Sequence, residues 1–380
     1  MRKTVFLAAV VLTACKGGGG PVDVEPVTFK ASAPPAAVIG DLPLAVVGAH
    51  DAHVSLWGTM ALLVSDPLVL DLMENQGGQS RGGVCWTSSP ILSTGVDVSY
   101  DTCDLQGIVG SASVRILQGQ ALAMTFDPTL QYGNRTVDGS IRFDLIPGAS
   151  YAWSLQPALS TGLPSPDPIQ VGIGSELYEV AMEGHAALDF VNGRLAGWGN
   201  VDITGPEGTA TVTYGSLDPA VADMDTATPA SMKVPFFPVC RCMTGGTMAY
   251  ADTSVTITRV DLNVSQALEN GGTLWPEIPV DTSIEVPGKL VLTPGSECGR
   301  WAASFEPAST DAITLLGNDL RTAIENACIA NAFGSEESCE AVRQGAASLS
   351  GLDLEIDATD FDRMADELAD RQLDNGFCTF

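Results

Sequence analysis

Lysine is nearly missing from this chain: five occur in 380 residues, against 46 aspartates and glutamates. Arginine does not make up the difference, and the formal charge is −28. A surface of that sign repels phosphate backbones and anionic headgroups, which excludes a nucleic-acid-binding protein. Histidine is scarce as well, with three residues. His50-Asp51-Ala52-His53 offers two metal ligands at i, i+3, but no third histidine lies nearby, so a solvent-exposed helix start is the better reading of these four residues. His185 and Asp189 are four apart, roughly 13 Å along a strand, which is too far for the hydrogen bond of a catalytic triad. No Gly-Xaa-Ser-Xaa-Gly occurs, so nucleophile-elbow hydrolases are unsupported. Gly172-Ile-Gly174 starts like a dinucleotide fingerprint but lacks its third glycine and reads as a loop. Aromatic residues make up only 6% of the chain, whereas glycine is abundant at 40 residues, as expected of a folded, turn-rich protein.

The N-terminus carries the clearest signal. Arg2 and Lys3 precede an apolar stretch from Val5 to Thr13, then Leu12-Thr13-Ala14-Cys15, then Lys16 and four glycines. A basic start, a short apolar segment and small residues describe a secretory signal, and the stretch is far below the roughly 20 residues of a spanning helix. The four residues ending in Cys15 resemble a bacterial lipobox. That resemblance implies cleavage before Cys15, diacylation of its sulfur and acylation of its new amine, so the membrane becomes a partner through the lipid anchor. In the lipoproteins it resembles, a lysine in the place of Lys16 implies the outer membrane. The mature chain would hold 16 basic and 46 acidic residues, a charge of −30.

Eight cysteines remain: Cys85, Cys103, Cys240, Cys242, Cys298, Cys328, Cys339 and Cys378. An even number in an exported chain suggests four disulfides. Proximity favours Cys85 with Cys103 and Cys328 with Cys339. Cys240 and Cys242 would stand about 6.6 Å apart on one face of a strand, so separate partners are expected for them. They form neither a Cys-Xaa-Xaa-Cys redox motif nor a zinc knuckle.

Residues 21–40 hold Pro21, Pro26, Pro34 and Pro35 with little periodicity and read as a continued tether, with order expected from about Asp41. From 52 to 75 the spacing of Leu56, Met60 and Leu63 is helical. The next 190 residues alternate with period two between glycine turns, as half-buried antiparallel strands do. Val137, Ile141, Phe143 and Leu145 oppose Asp138, Ser140, Arg142 and Asp144; Tyr178, Val180, Met182, Leu188 and Phe190 oppose Glu179, Glu183, His185 and Asp189. Asn192-Gly193 marks a hairpin. The apolar phase slips between Ile257 and Val260, which implies a bulge or bend. Farther on, Ile313, Leu316, Leu320, Ile324 and Ala327 predict a helix capped by Thr310 or Asp311 and ended by Gly334. A short helix over 336–344 follows, and a last one over 360–374 pairs Glu367 with Arg371. The expected fold is α+β and predominantly antiparallel β: a long curved β-meander with an N-terminal helical segment and C-terminal helices, stapled by disulfides. The expected division is a signal peptide over 1–14, a lipidated flexible tether over 15–40, a β-rich domain over 41–265 and an α+β region over 266–380.

The helical stretch, Cys85, the hairpin from Val96 to Cys103, Gly107-Ile-Val-Gly110 and Asn134-Arg-Thr-Val-Asp-Gly139 are similar to a group of uncharacterised exported bacterial lipoproteins over about residues 50–145. That resemblance implies a fold and no activity. Acid pairs are the remaining chemistry. Asp353, Glu355, Asp357, Asp360 and Asp362 form one dense group, and Asp218, Asp223 and Asp225 another. As a calcium loop the first lacks its glycine and has Met364 at position twelve, so weak surface calcium binding is the most it offers, and no cofactor is expected. The sequence thus points to an outer-membrane lipoprotein acting as a non-enzymatic binding or structural module of the envelope, whose partner, an envelope protein or an apolar ligand, it does not identify. A carrier holding an apolar ligand between a curved sheet and helices is the alternative, and a carboxylate-based hydrolase the third reading.

Overall fold

The computed structural model describes residues 26–40, 42–65, 81–82, 86–91, 95–100, 108–117, 123–147, 152–159, 163, 165, 167–189, 194–214, 230–233, 242–245, 247–268, 271–295, 301–356 and 360–372. The chain begins with β1 (Val27–Ala33), a 3-10 turn (Pro35–Ala37), β2 (Val38–Ile39) and α1 (Leu44–Ser65). Then come β3 (Arg81–Gly82), β4 (Trp86–Ile91), β5 (Gly95–Tyr100), β6 (Ile108–Leu117), β7 (Ala123–Tyr132), β8 (Arg135–Asp138), β9 (Ser140–Leu145) and β10 (Ala152–Ala158). They continue with β11 (Ile169–Ile173), β12 (Glu176–Asp189), β13 (Arg194–Gly205), β14 (Gly208–Tyr214), β15 (Ala230–Lys233), β16 (Cys242–Gly245) and β17 (Met248–Leu268). The last are β18 (Gly271–Leu274), β19 (Ile278–Pro294), β20 (Trp301–Pro307), α2 (Ala312–Leu316), α3 (Asn318–Ile329), α4 (Glu336–Ser348), β21 (Leu354–Ile356) and α5 (Asp360–Gln372). The predominantly antiparallel meander with helices at both ends is therefore the fold.

Two compact units divide the chain, one made of residues 1–41, 254–288 and 307–360, the other of 42–253, 289–306 and 361–380. The expected boundary at residue 265 lies inside β17, whose hydrogen bonding runs through that point.

The second unit is the meander. From β3 to β7 each strand pairs with the next. Beyond β7 the sheet is built of half-length strands laid end to end between longer ones. The two ends of β7 pair with β8 and β9, and those of β12 with β11 and β10, while β8 pairs β11 and β9 pairs β10. The sequence expected one strand over 137–145; the chain breaks it at Gly139, whose φ is +127° and whose missing Cβ lets the Ile169 backbone approach. β12 then pairs with β13 from Glu179 with Thr204 to Asp189 with Arg194; the turn expected at Asn192-Gly193 lies outside the described residues. Val137, Ile141, Phe143, Tyr178, Val180 and Met182 are buried, while Asp138, Glu179 and Glu183 are exposed, as the alternation predicts. This apolar face packs on α1, which touches β8 and β11 through β15.

The first unit is closed by its own N-terminus. β1 pairs antiparallel with β17 over Val27–Ser32 and parallel with β21. Residues 27–39 are therefore strands and a turn rather than tether. Phe29, Ala31 and Ala33 alternate with Lys30 and Ser32, and the three apolar side chains are buried; the prolines around them hid that period. The phase slip in β17 is real. Val255 and Ile257 are buried on one parity, Val260, Leu262 and Val264 on the other. The slip falls where the 3-10 turn interrupts the partner, and Thr258 Oγ1 donates to the Ala37 carbonyl there at 3.0 Å. The helix predicted from residue 312 is broken at Gly317, with φ +52°, into α2 and α3. Asp311 caps α2 and Ser335 caps α4. A disulfide joins Cys328 to Cys339 with their Cα atoms 5.5 Å apart, and Arg343 forks onto Glu325 across the same helix pair.

Gly199 shows how tightly β12 and β13 approach. Its φ is +127°, and a Cβ there would stand 2.6 Å from the Glu183 carbonyl oxygen and the Gly184 Cα. Gly133→Ala, at φ +57° in open space, is expected to cost about 1 kcal/mol. Gly199→Ala is expected to cost about 3 kcal/mol. Thermal unfolding of the two variants checks this, and equal melting temperatures would contradict it.

Candidate functional site

The concentration of buried polar groups lies on α1. Its first turn forms after Pro43, whose carbonyl accepts from the amides of Val46 and Val47. From there every residue from 46 to 60 is buried. A helix apolar on all faces belongs inside a protein. The expectation of an exposed helix start at His50-Asp51-Ala52-His53 is corrected: the helix begins at Leu44, and both imidazoles are fully buried. The signal was present in Leu44-Ala-Val-Val-Gly-Ala49, an apolar run that carries the helix back past the histidines.

Polar groups inside apolar surroundings must find partners. His50 Nδ1 lies 2.9 Å from the Tyr250 hydroxyl on β17, and its ring meets Trp301 of β20 edge-on, centroids 5.5 Å apart. Ser55 Oγ donates to the Asp51 carbonyl at 2.7 Å, and Thr59 Oγ1 donates to the Ser55 carbonyl at 2.8 Å. Arg135, buried on β8, donates from its guanidinium to Ser55 Oγ at 3.0 Å. The Asp51 carboxylate stands 3.9 Å from the Arg371 guanidinium of α5. Tyr178 fits its ring between Gly48 of α1 and Gly205 of β13, with its hydroxyl donating to Glu176 at 2.7 Å. One helix face is thus pinned by β8, β12, β17 and α5.

The electrostatics make this a neutral pair of imidazoles. Burial pushes the His50 pKa down to about 3, and the positive Arg371 adds to the shift. Burial holds His53 well below its ordinary value, with His50 contributing. Burial, and then the Asp51 charge, raises Tyr250 well above the usual phenol range. Tyr178 is raised by burial first and then by its hydrogen bond to Glu176. Two neutral imidazoles and protonated phenols hold a helix in place.

The other predicted positions are dispersed. His185 sits half-buried on the outward parity of β12, its pKa lowered by burial. Nearby, a recess lined by Trp57, Leu155, Met182, His185, Gly199 and Val201 encloses about 10 Å³, the lower limit for one ordered water. Among the described residues, Asp311 and Glu325 are carboxylates held below their ordinary pKa. Asp311 accepts from the Thr314 hydroxyl and the Leu352 and Ile313 amides; Glu325 accepts from Arg343. Asp353 bridges to Asp311 and is exposed. Among the described residues no three His, Cys, Asp or Glu side chains converge as metal ligands. Gly174 turns the β11–β12 hairpin, where Ile173 pairs with Glu176. Cys15, Cys85, Cys103, Cys240, Cys298, Cys378, Asp218, Asp223, Asp225 and Asp357 lie outside the described residues, as does the side chain of Cys242. Trp86 pairs with Tyr100, one residue after Cys85 and three before Cys103.

Comparison with protein families, curated proteins and solved structures finds no match to this chain.

The buried histidines set a pH dependence. Below 6.5 the unfolded chain binds protons that native His50 refuses down to about 3, and native His53, also held below its ordinary value by burial, acts in the same direction, so stability falls as pH drops below 6.5. A histidine kept neutral by the fold steepens that fall by at most about 1 kcal/mol per pH unit. Asp311 and Glu325, with lowered values, add their loss only as pH falls through the carboxylate range. Urea midpoints at pH 7, 6 and 5 are expected to fall stepwise, and His50→Gln to flatten the trend. Midpoints unchanged over that range would contradict the assignment.

Proposed function

We propose that this chain is an outer-membrane lipoprotein, anchored by acyl chains on Cys15, that serves as a non-enzymatic binding or structural module of the cell envelope. The observation that carries this reading is the unbroken burial of residues 46–60. A carrier needs an apolar cavity against its sheet. Here the apolar face of the meander is covered by the chain's own helix, and the recess beside Trp57 has room for one water. A carboxylate-based hydrolase needs a general acid held protonated near neutrality; among the described residues, the hydrogen bonds on Asp311 and Glu325 favour the ionised form instead.

The anchor is read from Arg2, Lys3, the apolar stretch and Leu12-Thr13-Ala14-Cys15. Two or three acyl chains, at about 0.8 kcal/mol per buried CH2, hold a protein on a bilayer durably. The Cys328–Cys339 bond fits an oxidising compartment. Divalent cations such as calcium enter as weak counter-ions of a strongly acidic surface.

Mass analysis of the mature N-terminal peptide tests the proposal. An acylated cysteine as first residue is expected, with Cys15→Ser moving the protein from the membrane to the soluble fraction. An unmodified Cys15 in a soluble protein would overturn it.

A further inference from the structure

We infer that the end of the first unit where β1 begins, together with Leu274 on the paired segment of β18, is the surface that faces the lipid bilayer. The inference rests on the anchor at Cys15 proposed above. It is carried by where the ordered chain starts. The tether expected from the sequence ran from 15 to 40, but β1 is already paired at Val27. Twelve residue steps separate Cys15 from Val27, so the anchor reaches at most about 40 Å even when fully extended.

A compact unit of roughly 100 residues is about 33 Å across, with a half-circumference of about 50 Å. A 40 Å leash cannot pass round such a body to present its far side. The leash also ends on an interior strand. β1 is held by β17 on one side and β21 on the other, so it does not peel away to lengthen the connection.

The register identifies what shares that end. Val27 pairs with Gln266, and Gln266 with Thr273; Thr28 pairs with Ser265, and Ser265 with Leu274. Leu274 therefore stands two strand spacings from Thr28, about 10 Å away, on the same face. The Thr28 and Ser265 hydroxyls touch on that face at 2.6 Å. Leu274 is 72% exposed. An apolar side chain left in water a strand or two from the anchored terminus is suited to the apolar side of a bilayer interface. At the opposite end of the same ladder, Ile39 pairs with Thr256, ten residues back along β17 and about 33 Å away. It too is exposed, which makes it the internal control.

The test places the photoreactive residue p-benzoylphenylalanine at Leu274, or separately at Ile39, in the full chain with Cys15 intact, reconstituted in phosphatidylethanolamine and phosphatidylglycerol vesicles. Lipid adducts after irradiation are counted by mass, as is acylation of Cys15 in the same samples. At least fivefold more adduct at 274 than at 39 is expected, and none at either position when Cys15→Ser is combined with them. Acylated protein with equal adduct at the two positions, or more at 39, overturns the orientation while leaving the anchor standing. Protein without acyl chains overturns the anchor, and the orientation with it.

Discussion

Burial of α1 is the constraint on which the second unit depends. A helix buried on every side from Val46 to Met60, and apolar over most of that length, has no stable place in water. The sheet must therefore present it with one continuous apolar face, and strands of period two supply that face through Val137, Val171, Val180, Val201 and Val212. The sheet must also bend. Glycines at positive φ stand in or beside its strands at Gly110, Gly139 and Gly199, and at the last a side chain would strike the neighbouring backbone. Such positions are where strands change direction without losing their partners.

The polar residues of the same helix then fix its rotation. An apolar helix in an apolar groove can turn about its axis at little cost. His50 against Tyr250 and Ser55 against Arg135 remove that freedom, because any other rotation would leave buried polar groups without their hydrogen bonds. A helix held in this way acts as the core of the unit, which is why the proposed function is one of binding or support rather than of enclosing a ligand. The first unit follows a different logic. Its sheet is completed by a strand that comes first in the chain and pairs with strands more than 200 residues later, while its helices are fastened by the Cys328–Cys339 bond and by Arg343 on Glu325.

Strand positions were legible where one face is polar and the other apolar, as in β12, because the period of two survives in the residue types themselves. The caps at Asp311 and the pairing of Glu367 with Arg371 were legible for a similar reason: both are local, and local chemistry is written in adjacent residues. The start of α1 was not, because a helix whose few polar residues are scattered round its axis has no polar face from which to read its period, and two histidines at i, i+3 look like surface residues when their surroundings are unknown. β1 was hidden by prolines on both sides and by partners far away in the sequence. The candidate site was the least legible, since Tyr250, Arg135 and Arg371 reach α1 only through the fold.

Hydrogen exchange along residues 44–60 of the Cys15→Ser protein tests the central claim most directly. If α1 is the core of its unit, its amides exchange only through unfolding of the whole unit, as slowly as those of β12 and β13 and with the same denaturant dependence. Exchange of α1 through a separate, lower-energy opening while β12 and β13 stay protected would contradict the account, and would mean that the helix leaves the sheet and vacates space for a ligand.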